Sequence, residues 1–319
     1  MPRASVIIPH WNGIEHLPDC LGSLRRQTFQ EFEVILVDNG STDGSQALVR
    51  RDFPEVRLLE LGENRGFTGA CNAGMETAHP DAGVLILLNN DTETDAGWLA
   101  AVMDAFERRP DVGIVASKML LFDRRDHFHN AGDYVRIDGI PGNRGVWEQD
   151  CGQYDREEEV FSANGGAAAY RRTMLEETGL LDDNYYFSCE DVDLAWRAQL
   201  AGWKVLYVPD AVVYHKLKAT GGSVTGSFYD GRNFLYLLWK NYPITLFKRH
   251  WPKVLRGQLG ITWEALKHWR GEAARARLRG QLAGLWGLPR MWARRNQVQA
   301  LQRVPTDTLA ARLTPVDAP

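Results

Sequence analysis

Gly83-Val84-Leu85-Ile86-Leu87-Leu88 runs without a break into Asn89-Asn90-Asp91-Thr92-Glu93. An unalternated apolar run of that length is the pattern of a strand buried on both faces, as in a parallel sheet. Upstream, Ser5-Val6-Ile7-Ile8-Pro9 has the same character, and Pro9 is expected to end it because proline has no N–H for a ladder. Phe32 to Asp38 and Val56 to Leu61 supply two more strands. Apolar residues at helical spacing fill the intervals: Leu17 to Gln27, Ser45 to Arg51 behind the turn-and-cap run Asn39 to Gly44, and Phe67 to Ala78. Regular alternation of this kind specifies βαβ units, hence an α/β fold with a mainly parallel central sheet. Such sheets bind ligands beyond the carboxyl ends of their strands. Those ends carry His10-Trp11-Asn12, Asp38-Asn39-Gly40, Glu63-Asn64-Arg65-Gly66 and Asn89-Asn90-Asp91, all of them polar.

From Lys118 to Phe161 the pattern turns irregular, and loops and short strands forming a wall of the site are expected there. Asn164 to Tyr170 reads as a small-residue segment before a helix, and Glu190-Asp191 opens a further helix. Gly202 to Pro209 reads as a strand and Val212 to His215 as a second, shorter one. Beyond Phe228 the chain is helical, basic and rich in tryptophan. The expected division is residues 1–228, a helical region 229–303, and a tail 304–319, disordered on account of Pro305, Pro315 and Pro319.

The chain has 319 residues, 44% hydrophobic and 24% charged, which excludes disordered, collagen-like and low-complexity classes. A net charge of −4 conceals an uneven distribution: 21 basic against 36 acidic side chains up to Tyr229, then 15 against 3 from Asp230 to Arg303. Four cysteines without a C-x-x-C pair imply neither a zinc site nor a disulfide framework and suit a reducing compartment. Met1-Pro2-Arg3-Ala4-Ser5 has no leader-like character, and no apolar run nears the ~18 residues that span a bilayer. A cytoplasmic protein is expected, peripheral at the inner face of the cell membrane.

Asp91, just past the most apolar strand, can hold a hard divalent cation that bridges a diphosphate; it equally suits a helix N-cap. His215 at another strand end is a candidate partner ligand, or a structural histidine. Glu190-Asp191 compensates a helix dipole or supplies a general base. Arg65 suits a phosphate or solvent, and Asp38 and Asn39 suit a base edge or their own turn. Neither G-x-x-x-x-G-K-[ST] nor G-x-G-x-x-G follows the first strand, which disfavours P-loop and dinucleotide enzymes. No G-x-S-x-G elbow offers a covalent nucleophile, so single displacement is favoured.

Ser5 to Asn12, Val37 to Asp43, Asn64-Arg65-Gly66-Phe67 with Asn72, Asn89-Asn90-Asp91, and Glu190-Asp191 leading to Arg197 and Gly202-Trp203 occur in this order. Together they resemble the family 2 inverting glycosyltransferases of the GT-A (Rossmann-like) nucleotide-diphospho-sugar transferase fold, and among these the bacterial rhamnosyltransferases. The resemblance covers about Ala4 to His215. It implies a nucleotide-sugar site made by Pro9, Trp11, Asn12, Asp38, Asn39, Arg65, Gly66, Asn72, Asn89 and Asn90. Asn89-Asn90-Asp91 stands at the family's D-x-D motif with Asn in its first position, so Asp91 and His215 would hold Mg²⁺ or Mn²⁺. Asp191 matches the catalytic base, with Glu190 beside it. Gly165, Gly166 and Trp203 would meet the acceptor or sugar. The donor implied is dTDP-rhamnose; a UDP-hexose, or a non-catalytic sugar-nucleotide or polysaccharide binder, is the alternative.

Lys and Arg interleave with Trp239, Trp251, Trp263 and Trp269, and a second basic run precedes Trp286 and Trp292. Tryptophan beside basic residues suits an anionic membrane surface; tryptophans packed on the catalytic part are the alternative. No nucleic-acid module accompanies the charge, so nucleic acid is not an expected partner. A lipid-linked saccharide acceptor would account for both halves.

Overall fold

The structure, a computed structural model, describes residues 1–217 and 223–316. Its first half comprises β1 (Ala4–His10), α1 (Leu17–Arg25), β2 (Phe32–Asp38), α2 (Ser45–Asp52), β3 (Arg57–Glu60), α3 (Gly66–Thr77) and β4 (Val84–Leu88). Then come β5 (Thr92–Thr94), α4 (Trp98–Arg108), β6 (Val112–Leu121), β7 (Phe128–Asn130), β8 (Asp133–Val135), β9 (Pro141–Asn143) and β10 (Glu158–Val160). β11 (Ala167–Arg171), α5 (Arg172–Thr178), α6 (Glu190–Ala201) and β12 (Lys204–His215) complete the α/β part. Four helices follow: α7 (Ser223–Asn241), α8 (Ile244–Lys267), α9 (Glu272–Gln299) and α10 (Thr306–Ala311).

The main sheet runs β10-β12-β6-β11-β4-β1-β2-β3. β1 lies parallel to β2 and β4, β2 to β3, and β6 to β12; β11 is antiparallel between β4 and β6. β1, β2, β4, β6 and β12 therefore end at one edge. Successive strand residues face opposite sides, so Ile8, Leu36 and Ile86 join one buried cluster with α1 and α4, while Ile7, Ile35 and Leu87 join another with α3. A third core unites Tyr185, Val192 and Trp196 with Tyr236, Leu237 and Met291, so the helical region shares its core with the α/β part.

Four local expectations need correction. β1 continues through Pro9 to His10, because its ladder with β4 stops at Ile7 and no donor is required of Pro9 on that side. The small-residue segment Asn164 to Tyr170 contains a central strand, β11, whose alanines suit a strand buried on both faces. Gly202 to Pro209 and Val212 to His215 belong to a single strand, β12, with a register shift between Val208 and Val212. The tail is ordered through residue 316: α10 starts after Pro305, and Leu309 and Leu313, one turn apart, are buried in the third core. Thr314 closes the contact by donating its N–H to the Val135 carbonyl at 2.9 Å. The last three residues of the expected tail lie outside the described residues.

Candidate active site

The shared carboxyl edge collects most of the sequence-predicted residues. β5 turns back against the end of β12 and sets His215 opposite Thr92, which brings Asp91 and His215 together across 124 residues of sequence. His215 Nε2 lies 3.1 Å from Asp91 Oδ1. Burial opposes ionisation of Asp91, but the hydrogen bond and charge of His215 prevail and hold its carboxyl below the usual value. Asp91 Oδ2 is buried without a partner among the described residues. His129, which sequence reasoning missed, reaches His215 Nδ1 with its own Nδ1 at 3.2 Å, and burial with the nearby His215 charge lowers its imidazole to about 3. Among the described residues no group of three or more His, Cys, Asp or Glu is arranged to hold an ion alone. The orphaned carboxylate oxygen beside an imidazole nevertheless fits a divalent cation whose other ligands are phosphate oxygens and water.

Asn90 Nδ2 holds His10 Nδ1 at 2.8 Å, and His10 Nε2 meets Ser45 Oγ at 2.7 Å. Ser45 is hydrogen-bonded to Asp43. Asp43 also accepts the N–H groups of Gly13 and Ile14 at 2.7 and 2.9 Å. Burial works against that carboxylate, yet these donors keep its pKa at about 2. Pro9 is half-buried in β1; Trp11 is exposed beyond it, and Asn12 is pinned by Ser41 and Thr42. Asp38 is buried and accepts from Ser41 N–H and Gln46 Nε2. Asn39 organises the next loop: its oxygen accepts the Arg65 N–H at 2.8 Å and its nitrogen donates to the Gly66 carbonyl at 3.0 Å. The Arg65 guanidinium is half-exposed, 3.4 Å from Glu63. Gly66 has φ +75° under the Tyr186 ring, where a Cβ would lie 2.5 Å from the ring and could not fit.

The acidic pair opens α6. Asp191 Oδ2 accepts the Gly165 N–H at 2.8 Å, and Oδ1 accepts that of Val192 at 2.7 Å. Burial outweighs these donors and raises the Asp191 pKa. Glu190, 5% exposed with Oε2 unpartnered among the described residues, is pushed well above the carboxylate range by burial and by the Asp191 charge. Two adjoining carboxyls thus differ in their surroundings: Asp191 accepts two backbone N–H groups, whereas Glu190 has one oxygen without a donor among the described residues, and burial shifts both upward. Gly166 bounds the same space, its N–H held by Asn164 and its α-carbon facing the half-buried Asn89. Asp133 was not anticipated, since it sits in the irregular stretch without a motif. Burial and the Asp191 charge raise it to about 7 even though the Asn130 and Asn143 amides donate to it.

Two expected contacts lie elsewhere. Trp203 precedes β12 at the opposite edge of the sheet, about 30 Å from His215, since β12 runs beside β6 from Val112 to Leu121, nine steps of ~3.3 Å. There it donates its indole N–H to Glu177, so the structure does not bring it together with the other site residues. Asn72 engages its amide with Leu181 and Asp183, supporting the loop before α6.

Comparison with known proteins gives the family and the fold. Residues 5–179, more than half the chain, match the sequence model of glycosyl transferase family 2. The N-acetylglucosaminyl-diphospho-decaprenol L-rhamnosyltransferase of Mycobacterium tuberculosis is 33% identical over 229 residues, an alignment covering 65% of this chain and 74% of that one. The mannosyltransferase of Pyrobaculum calidifontis, solved with GDP-Man and Mn2+, superposes with a TM-score of 0.55 at 20% identity, covering 97% of this chain and 79% of that one. GalNAc-T7, solved with UDP, GalNAc and Mn2+, gives 0.62 at 16%, covering 75% and 48%. At such identities these two likenesses speak for the fold alone. The family match takes in β1, β2 and β4, whose ends carry Asn12, Asp38, Asn39 and Asn89 to Asp91. The chain belongs to glycosyl transferase family 2 and is a glycosyltransferase of the GT-A fold, similar to a bacterial rhamnosyltransferase.

Proposed function

We propose that this glycosyltransferase moves L-rhamnose from dTDP-rhamnose to a lipid-linked saccharide at the inner face of a membrane, inverting the anomeric centre. The observation that carries the transfer reaction is the pair of adjoining carboxyls at the start of α6, joined through Gly165 and Gly166 to Asn89, two residues before Asp91. In this reading the acceptor hydroxyl attacks the anomeric carbon in line, Asp191 takes its proton, and the nucleoside diphosphate leaves with the electron pair of the broken C–O bond. Glu190, whose ionisation is opposed by burial and by the Asp191 charge, hydrogen-bonds acceptor. Pro9, Trp11, Asn12 and Asp38 line the nucleoside side, with Asn39 shaping the loop that presents Arg65 and Gly66 to the diphosphate. Asn90 supports that wall through His10, and Asn89, Gly165 and Gly166 bound the sugar side. Asp91 and His215 would hold Mg²⁺ or Mn²⁺, which would offset charge on the departing diphosphate.

The donor assignment rests on likeness to the mycobacterial enzyme, and calorimetry tests it. dTDP-rhamnose, UDP-glucose, UDP-galactose and GDP-mannose are each titrated with Mg²⁺, with Mn²⁺ and with chelator. Metal-dependent binding of dTDP-rhamnose is expected; selective binding of a UDP-hexose would replace the donor, and tight binding in chelator would remove the cation.

The division of labour assigns transfer to residues 1–228 and docking to residues 229–303. No described helix is long and apolar enough to cross a membrane. Trp239 packs against Trp292 and Phe247, whereas Trp251, Leu255, Leu259, Trp263 and Leu266 stand exposed along one face of α8. Leu282, Leu285 and Trp286 do the same on α9, with Trp286 91% exposed. Lys253, Arg256, Lys267, Arg270 and Arg275 flank them in the open. An apolar ridge rimmed by cations fits an anionic bilayer surface. Replacing Leu282, Leu285 and Trp286 together with glutamine is expected to weaken binding to phosphatidylglycerol vesicles at least tenfold, since each large side chain contributes ~1.5–3 kcal/mol when buried. Co-sedimentation equal to wild type would end the membrane assignment of the ridge.

A further inference from the structure

The turn that delivers Glu190 and Asp191 is held in a conformation it would not keep alone. Tyr186, Ser188 and Cys189 have φ values of 62°, 68° and 67°, three non-glycine residues in the left-handed region within four positions. L side chains adopt that region sparingly, and such a cluster persists only where surrounding structure over-determines it. Cys189 is itself the N-cap of α6, so the direction in which Asp191 leaves the helix start depends on this turn.

The groups that hold it come from α7. Asn233 is fully buried, and its Nδ2 lies 3.2, 2.9 and 2.6 Å from the carbonyl oxygens of Tyr185, Phe187 and Ser188. Arg232 Nη2 donates to the carbonyls of Asn184 and Tyr185 at 2.9 and 2.6 Å. Ser188 Oγ donates to Asp230 at 2.7 Å, and Asp230 is paired in turn with Arg277 of α9 at 3.0 Å. α7 and α9 meet so closely that a Cβ on Gly280 would collide with the Phe228 carbonyl. On the other side, the Tyr186 carbonyl accepts the Thr68 N–H at 3.3 Å and its ring covers Gly66. The turn is therefore clamped between the start of α3 and the helical region.

We infer that Asn233 and Arg232 are positioning residues for the transfer reaction: from α7 they fix the left-handed turn that aims Asp191 into the cleft. This rests on the reading of Asp191 as the base. The helical region then sets catalytic geometry as well as docking, and the clamp crosses the division drawn between the two parts.

The test uses full-length Asn233→Ala and, as a milder second variant, Arg232→Gln. Nucleotide release is followed with the donor chosen by calorimetry, beside Asp191→Asn and wild type. For Asn233→Ala, kcat is expected to fall ~10²-fold with the donor KM within about threefold, the scale of loss that a displacement of about 1 Å produces. The acid limb of its pH–rate profile should move toward lower pH, because a loosened turn admits water to a carboxyl that burial now raises. Arg232→Gln should show the same two changes at about a tenth of the size. Amide exchange should quicken in residues 184–192 while β1 and β4 stay protected. Unchanged kcat and unchanged exchange in that turn would overturn the inference, as would a loss of activity matched by exchange throughout the sheet. If Asp191→Asn turns over like wild type, the base assignment fails instead, and the exchange pattern still decides whether Asn233 holds the turn.

Discussion

Asp191→Asn is expected to bind the sugar nucleotide as wild type does and to lose ~10²–10⁴-fold in kcat, the usual contribution of a positioned general base. The substitution preserves shape. Its amide oxygen can still accept the Gly165 N–H that Asp191 Oδ2 accepts at 2.8 Å, and only the neighbouring Val192 N–H loses its acceptor, so the start of α6 should stay in place. What disappears is the capacity to take a proton. The pH dependence of the wild type follows from the same geometry. Burial raises the Asp191 pKa, and only the deprotonated form accepts, so kcat should climb with pH through a limb lying above the ordinary value of ~4 and be lost below it. Asp133, at about 7 and raised in part by the Asp191 charge, couples to that limb. Glu190→Gln keeps a hydrogen-bonding group of the same shape where burial already disfavours the charge, so it should retain far more activity than Asp191→Asn. Initial-rate measurements of nucleotide release between pH 5 and 9 check all three statements; full kcat in Asp191→Asn would move the base elsewhere.

The strands that were legible are those whose composition has one explanation. Val84 to Leu88 is apolar at every position because β4 is buried on both faces, and nothing but a central strand of a covered sheet requires that. β11 was hidden for the complementary reason. Ala167 to Ala169 lie between β4 and β6 and are almost fully buried, so small side chains suffice there, and alanine carries no strand preference for a reader to detect. The ordered tail was hidden by its prolines, which describe where a helix begins as well as where order ends; only Leu309 and Leu313 distinguish the two cases.

At the site, local chemistry was readable and partnership was not. Asp191 announced itself at a helix start, and Asp91 after the most apolar strand. That Asp91 meets His215 follows from β5 folding back on β12, a long-range pairing that no local pattern encodes. Asn39 and Asn72 show the converse. Both have residue types suited to ligand contacts, yet the structure engages their amides with backbone and neighbouring side chains. His129, Asp133 and Asn233 went unread because each owes its setting to burial among distant segments.

Lys240→Ala is expected to lower stability by ~3–5 kcal/mol, the cost of leaving buried carboxylates without their cation. Lys240 is 2% exposed, and its Nζ lies 2.5 Å from Asp182 and 2.7 Å from Asp193. Asp193 is also paired with Arg197 at 3.0 Å and receives the Asn241 amide at 2.7 Å, and Asp182 is paired with Arg294. The network thereby joins α6, which begins with Glu190 and Asp191, to α7 and α9. Burial works against both acids, but Lys240 outweighs it and both carboxyls sit below their ordinary values. For groups with depressed folded pKa values, the stabilisation is complete above the unfolded value of ~4 and is lost as pH falls through the folded ones. The gap between wild type and Lys240→Ala should therefore be widest near pH 7 and should narrow as both acids protonate. Lys240→Met keeps most of the aliphatic stem, so a loss close to that of alanine assigns the effect to charge, and near-wild-type stability assigns it to packing. Urea unfolding at pH 7 and at pH 4, followed by tryptophan fluorescence, separates these outcomes. A gap of less than 1 kcal/mol at pH 7 would mean that Arg197 and Arg294 carry the acids without Lys240, and that α7 is fastened to α6 by its apolar face alone.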